Sequence, residues 1–234
     1  MARPGIVQEK VYGELVKRIL SSKTAPGSRL IERDLASDLG VSRVPVRTAL
    51  AKLVSQGLLK GGQNGQGVWV RQYSVPETQD LYYYRSVIEG GIVRLVANKA
   101  DSNDLLMAKM CCEQMETLIE QQNFDGWGKL DHTFHISLAK ASGNERLIDA
   151  NEVLLSECHY LFYHYSRKLN LSPTAEQEVQ QKKRVSQEHR KLLKFISEGK
   201  ADEAELMVRS AMSQSADRLC ELLIRSELKE KHKN

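Results

Sequence analysis

The chain has 234 residues, 41% of them hydrophobic, and a formal net charge of +4. This apolar content is enough to build a core, which argues against wholesale disorder. No apolar run approaches the roughly 18–20 residues of a transmembrane helix, and polar sequence follows the first five residues where a secretory signal would be apolar. We therefore expect a cytoplasmic protein without membrane spans.

The positive charge is concentrated in the first third of the chain. Residues 1–74 contain 12 Lys or Arg and 5 Asp or Glu, a balance of +7, and residues 75–234 contain 22 and 25, a balance of −3. A basic module joined to a mildly acidic one indicates a polyanion partner for the first module only. We predict two domains that meet near residue 74.

The basic segment carries the pattern of three helices. Apolar residues at helical spacing predict helices over residues 7–22 and 32–39, with a short extended piece at 30–31 between them. A third helix is expected to begin after Ser42, whose hydroxyl suits an N-cap, and to stop at Gly57.

The second and third helices have the spacing of a helix-turn-helix, whose second helix usually enters the major groove of DNA by its N-terminal end. That end carries Arg43 and Arg47, which share a face because they are four residues apart. Arginine suits the guanine edge, where it can bind two acceptors at once. Two arginines alone would also fit an ordinary solvated helix face.

A predicted hairpin follows the third helix. Two short apolar runs, 58–60 and 68–70, flank a glycine-rich tip over residues 61–67. Small side chains would let this wing approach the sugar-phosphate backbone or the minor groove closely. The ordered set of helix, helix-turn-helix and wing favours DNA binding over a solvated face.

The stretch between Ile31 and Leu58 resembles the GntR family of bacterial transcription regulators, most clearly in its Gly-Val-Ser-Arg-Val-Pro-Val-Arg run. The resemblance implies DNA contacts from the start of the second helix, the entry to the third, and the wing tip. These positions are Arg33, Ser42, Arg43, Arg47, Gly65 and the adjacent Asn64. Val44 and Pro45 also match, and are expected to shape the helix entry and to offer apolar contact to a thymine methyl.

The acidic segment is helical in pattern almost throughout. The predicted helices cover 76–99, 103–122 after an N-cap at Ser102, 125–140, the stretch from the Asn144 cap to 168, the stretch from Ser172 to before Gly199, and 202–228. Short connections between such helices predict an antiparallel bundle. The expected fold class is mainly α: an N-terminal winged helix-turn-helix with a small β-hairpin wing, and an all-α helical bundle.

The bundle resembles the FCD ligand-binding domain of the FadR subgroup within the same family. The resemblance implies a divalent metal held by an Asp and a His four residues apart, a His on a later helix and a His on the last helix. The first three correspond to Asp131, His135 and His189, but the fourth position is Ala211, which cannot ligate.

Two interpretations of this centre stay open. Asp131, His135 and His189 suffice for Zn, Ni, Mn or Fe, with open positions for water or an effector. Alternatively the site is degenerate, and the two histidines only form hydrogen bonds in a polar cavity. Gln214 and Ser215, one turn after the alanine, are candidates to fill part of the gap.

Arg85 is the candidate for recognising an effector. Inside a bundle an arginine needs an anionic partner. That partner is either Glu89, four residues later on the same helix, or the carboxylate of a small organic acid bound at two points. Tyr163 is a further candidate for lining the pocket.

Together these features predict a homodimeric regulator that binds a near-palindromic double-stranded operator and responds to a small organic-acid effector. The alternative is a DNA-binding protein whose bundle only dimerises. An enzyme is not expected: the two-His, one-carboxylate set imitates iron oxygenases, but the sequence contains no GxSxG, P-loop or HExxH motif.

Overall fold

The computed structural model describes residues 4–20, 24–62, 67–99, 101, 103–168 and 174–231. This part of the chain forms nine helices and three short strands. They are α1 (Pro4–Leu20), β1 (Arg29–Leu30), α2 (Glu32–Asp38), α3 (Arg43–Ser55), β2 (Leu59–Gly61), β3 (Val68–Val70), α4 (Val75–Lys99), α5 (Leu106–Glu120), α6 (Phe124–Ala141), α7 (Glu145–Lys168), α8 (Ala175–Ser197) and α9 (Ala201–Lys231). The predicted mainly α fold class is confirmed.

The chain divides into two compact units whose boundaries cut across three helices. The first unit combines Met1–Glu77 with Val153–Asn170 and Leu222–Asn234, and the second combines Thr78–Glu152 with Leu171–Glu221. Helices α4, α7 and α9 therefore contribute residues to both units.

In the first unit, the three N-terminal helices enclose a small apolar core. Helix α1 packs against α3, and α1 buries Val11, Leu15 and Ile19 while α3 buries Val46 and Leu53. These apolar positions recur every three or four residues, which places them on one face of each helix.

Gly40 makes the turn between the two helices of the helix-turn-helix. It follows α2 and adopts φ +63°, a conformation that side chains disfavour. The amide of the next residue, Val41, donates to the Ala36 carbonyl at 3.0 Å, which satisfies one of the last carbonyls of α2. The predicted helix end at Gly40 is confirmed.

The wing is a three-stranded antiparallel sheet rather than a hairpin alone. The strand order is β1-β3-β2, with Arg29 opposite Trp69 and Lys60 opposite the same Trp69 from the other side. The extended piece predicted at 30–31 lies one residue earlier, because Ile31 instead takes the N-cap position of α2. The Gly62 amide donates to the Gly67 carbonyl at 2.9 Å at the base of the tip.

The second unit is an antiparallel helical bundle. Helix α5 packs against both α6 and α8. The core of this bundle contains Ile92 and Val96 of α4, Met115 and Ile119 of α5, Phe134 and Leu138 of α6, and Leu192 and Ile196 of α8. Among the described residues, no helix combines the length and apolar character needed to cross a bilayer.

Two predicted helix starts in this bundle were wrong. Helix α5 begins at Leu106 rather than 103, because the Asp101 carboxylate accepts the amides of Asn103 and Asp104 at 2.7 and 3.1 Å and holds a turn there; Ser102 lies outside the described residues. Helix α8 begins after Thr174, beyond the predicted opening at Ser172, which also lies outside the described residues.

Candidate functional site

The N-terminal end of α3 presents two arginines in different surroundings. The Arg43 side chain is 68% exposed, and its Nε lies 2.9 Å from Oε1 of Glu32, the first residue of α2. Arg47, one turn later, is exposed as well. Being four residues apart, the two arginines lie on one exposed face of the helix end, as groove recognition requires.

The flanking positions differ in what they can contact. Val44 is 55% exposed, whereas Pro45 is buried, so Val44 is the one of the two that can reach a thymine methyl. Ser42 takes the predicted N-cap position, but in the part of the chain that the structure describes its side chain makes no capping hydrogen bond. Unpaired amides at a helix N-terminus suit a phosphate.

Arg33 lies at the start of α2 with its side chain 80% exposed, and its Nε is 3.0 Å from Oδ1 of the adjacent Asp34. Asn64 and Gly65, the expected contacts from the wing tip, lie outside the described residues.

In the second unit, α6 and α8 bring together the three predicted metal ligands. Asp131, His135 and His189 each offer one ligand atom, and these atoms lie within 4.8 Å of one another. The Nε2 atom of His189 is 3.5 Å from Oδ1 of Asp131, longer than an ordinary hydrogen bond. The three ligand atoms therefore lie close together, and the pair from His189 and Asp131 forms no ordinary hydrogen bond.

Glu89 of α4 connects this centre to Arg85. One carboxylate oxygen lies 2.7 Å from Arg85 Nε and the other 3.1 Å from His135 Nδ1. Burial alone would raise the pKa of Glu89, but the charge of Arg85 and the hydrogen bonds from Arg85 and His135 outweigh it and hold that pKa well below its usual range. A carboxylate on Nδ1 orients the His135 ring and leaves its Nε2 for a ligand role.

His189 is buried between aromatic and polar groups. Its ring stacks on Phe134 with centroids 4.1 Å apart, and its buried Nδ1 atom has no hydrogen-bond partner among the described residues. Burial lowers the pKa of His189 to about 4, although Asp131 opposes this shift. The imidazole is therefore neutral near pH 7, which is the form that binds metals.

The donor set fits a divalent metal with three protein ligands. Two imidazoles and one carboxylate suit Zn²⁺ and other transition metals, and a three-ligand centre keeps open coordination positions. The residues near Ala211 do not complete it. Gln214 is exposed and its amide donates to Ser210 at 3.3 Å, while the Ser215 hydroxyl donates to the Ala211 carbonyl at 2.8 Å.

Two residues that the sequence analysis missed lie beside the centre. The Lys182 ammonium lies 4.1 Å from the ring centroid of Trp127, and burial lowers the pKa of Lys182 although Asp131 opposes this. The Trp127 indole N–H donates to Ser186 at 3.1 Å. Their spacing was the available signal, since Trp127 precedes Asp131 by four residues and Lys182 precedes His189 by seven on their helices.

The structure describes the side chain of only one of the two effector candidates. Arg85 has the partner foreseen on its own helix, because it forms a buried ion pair with Glu89. Tyr163 lies in α7, but its side chain lies outside the described residues.

The comparisons with known proteins match both segments. Residues 7–70 match the family described as bacterial regulatory proteins, gntR family, and residues 80–214 match the FCD domain. The chain belongs to the GntR family and carries an FCD domain. It is therefore a transcriptional regulator of the GntR type.

Its relatives align along most of their length. The GntR-family chain is 27% identical over 213 residues to the transcriptional regulator YdhC of Bacillus subtilis, covering 91% of this chain and 90% of that protein. It is 26% identical over 204 residues to the Nta operon transcriptional regulator of Aminobacter aminovorans, covering 85% and 87%. The Escherichia coli McbR/YncC structure has the same fold, with a TM-score of 0.70, 20% identity, and 94% and 98% coverage.

Proposed function

We propose that this GntR-family regulator controls its operator affinity through a small organic acid bound in the FCD bundle, next to a divalent metal. The observation that supports this is the convergence of Asp131, His135 and His189 within 4.8 Å. Residues 1–74 would form the DNA-binding domain, and residues 75–234 the effector and dimerisation domain of a FadR-subgroup member.

The metal would be held by the Asp131 carboxylate and the two imidazoles. It would supply a Lewis-acid centre that attracts an anionic ligand. The Glu89 carboxylate would fix the orientation of His135, and Phe134 would fix the ring of His189 by stacking. Lys182 adds a positive charge from α8 that an effector carboxylate can share with the metal.

DNA recognition would be dimeric. In such a dimer, two α3 helices would enter successive major grooves of a near-palindromic operator in the cytoplasm. Large exposed apolar side chains of α4, namely Tyr83, Tyr84, Val87 and Leu95, offer surface for a second copy. An effector alters operator affinity only by its difference in affinity for the two arrangements of the heads.

The second candidate function is a DNA-binding protein whose bundle only dimerises. Ala211 at the fourth ligand position favours this alternative, as does the ion pair by which Glu89 already neutralises Arg85. Such a protein would bind its operator equally well with and without metals and acids.

A thermal-shift screen separates the two functions. Purified protein is mixed with sugar acids, hydroxy acids, dicarboxylates and amino acids, each with and without Zn²⁺, Mn²⁺ or Ni²⁺. A ligand that binds only the folded form raises the melting temperature. We expect a metal-dependent rise that His189→Ala abolishes and His132→Ala, a matched control on α6 outside the ligand set, retains. Absence of any metal-dependent rise would favour the second function.

A further inference from the structure

We call the winged helix-turn-helix the DNA-reading head. A buried cluster in the first unit joins α7 to the segment that follows its wing. Glu157 of α7 is 8% exposed and Tyr73, just after the wing, is 3% exposed. The Tyr73 hydroxyl donates to Oε2 of Glu157 at 2.5 Å, and Arg71 Nη1 lies 3.6 Å from the same oxygen. We call Arg71, Tyr73 and Glu157 the head joint.

Further contacts fix the head joint from both sides. The Arg71 guanidinium lies over the Tyr73 ring at 4.8 Å from its centroid. The Tyr160 hydroxyl, also from α7, donates to the Arg71 carbonyl at 2.8 Å. Burial raises the pKa of Glu157, while the Tyr73 hydrogen bond and Arg71 oppose the shift. Burying a carboxylate lowers the stability of the fold unless its hydrogen-bond and charge partners stay aligned with it.

The Glu157 carboxyl group also lies against Gly57, at the end of α3. Gly57 follows α3 with φ +72°, and a Cβ placed on it would lie only 2.0 Å from Oε1 of Glu157. Only glycine leaves room there for the Glu157 side chain. Moving Glu157 therefore disturbs both the turn that ends α3 and the segment that follows the wing.

Helix α7 also contacts the bundle site, through Asn151 in the second unit. The Asn151 side chain is fully buried, and its Nδ2 donates to the backbone carbonyl of His135 at 3.4 Å. Asn151 and Glu157 lie six residues apart on one continuous helix, about 9 Å of axial rise. Because α7 is one continuous helix, a displacement of α6 at His135 would be transmitted along it to Glu157.

We propose that Glu157 is a positioning residue through which α7 passes the state of the bundle site to the DNA-reading head. The proposal rests on the proposed function only for the source of the signal. The head joint consists of contacts within the first unit, and DNA binding follows from the family.

The test is a double-mutant cycle that uses neither metal nor effector. The operator is a duplex selected in vitro from random sequence by the full-length protein, and affinity is measured by fluorescence anisotropy. Asn151→Ala releases α7 from α6 and is made in four backgrounds: the unchanged protein, Glu157→Ala, Tyr73→Phe and Glu157→Gln. Asp149→Asn, an exposed change on the same helix, is the matched control.

We expect Asn151→Ala to change the operator Kd about threefold or more in the unchanged protein, a coupling of the size found between linked residues. The change should disappear in Glu157→Ala and Tyr73→Phe, and return in Glu157→Gln, which keeps an acceptor for the Tyr73 hydroxyl. Asp149→Asn should have no effect in any background.

An equal effect of Asn151→Ala in all four backgrounds overturns the proposal, and so does no effect in the unchanged protein. Thermal unfolding of each variant shows that it is folded, and Tyr73→Phe serves if Glu157→Ala does not fold. Because no ligand is present, failure here is distinct from failure of the metal and effector screen.

Discussion

Arg43 and Arg47, the two proposed base-reading residues, differ in their contacts. Arg43 Nε lies 2.9 Å from Glu32, so in the proposed DNA complex it would exchange this carboxylate for a base edge. The Glu32 side chain is only 22% exposed, which keeps the guanidinium near the helix entry before DNA arrives. Identity and spacing of the two arginines were predictable from the sequence. The Glu32 contact was not, because it depends on the angle between α2 and α3.

We expect Arg43→Ala and Arg47→Ala each to weaken specific operator binding by about 1–3 kcal/mol, since each would remove one of the proposed base contacts. Anisotropy titrations against operator and scrambled DNA measure the loss. Lys140→Ala removes one positive charge from an exposed position of α6 and is the control. If both arginine variants bind the operator as tightly as the control does, the base-reading role is wrong.

Glu89 is the residue on which the bundle site depends most. Glu89→Gln leaves Arg85 buried beside a neutral partner, and we expect it to destabilise the protein by about 3–5 kcal/mol at pH 7. Urea unfolding measures this, with Glu113→Gln on the exposed face of α5 as control.

The stability loss caused by Glu89→Gln should depend on pH in one direction. The folded-state pKa of Glu89 is depressed, so its stabilisation is fully present above the unfolded value of about 4.3 and is lost as the pH falls below it. The gap between Glu89→Gln and the unchanged protein should therefore narrow below about pH 4. A gap that stays constant down to pH 3 would contradict the ion-pair explanation.

At the scale of elements, apolar periodicity predicted where each helix lies, but not always where it begins. Helix α5 starts later than predicted because the carboxylate of Asp101 competes for the first amides. Helix α8 starts at Ala175, after the N-cap Thr174, which forms a capping box with Gln177. Such starts depend on which of several adjacent polar side chains reaches the amides, and periodicity does not distinguish between them.

The convergence at the bundle site shows the same limit. The i,i+4 spacing places Asp131 and His135 on one face of α6, but bringing His189 to them requires the packing of α8. Only the family resemblance linked these helices in advance. The position of Glu89 between Arg85 and His135 was not foreseen, because it depends on α4 lying beside α6.

The capping box predicts a measurable effect on α8, the helix that carries His189. Thr174→Ala removes the acceptor for the Gln177 amide and should cost about 1 kcal/mol of stability. Thr174→Ser keeps the acceptor and should recover most of it. Thermal unfolding of the three proteins measures the difference; equal melting temperatures would show that the cap contributes nothing.

At the scale of the whole molecule, the charge step near residue 74 separates two chemical tasks. The excess of +7 includes the exposed Arg33, Arg43 and Arg47, which are the arginines we propose to contact DNA. The acidic remainder supplies the carboxylates of the bundle site. The charge step lies three residues before the boundary that follows Glu77, while α7 contributes residues to both compact units.

The central claim is that a ligand in the bundle sets operator affinity, and one measurement tests it most directly. Operator Kd is measured by anisotropy for metal-loaded protein against the organic-acid panel, in the unchanged protein and in His189→Ala. We predict that at least one acid changes Kd about fivefold or more, the usual size of an allosteric coupling, and that His189→Ala abolishes the change. An operator Kd that no acid alters, or a change that persists in His189→Ala, would contradict the account.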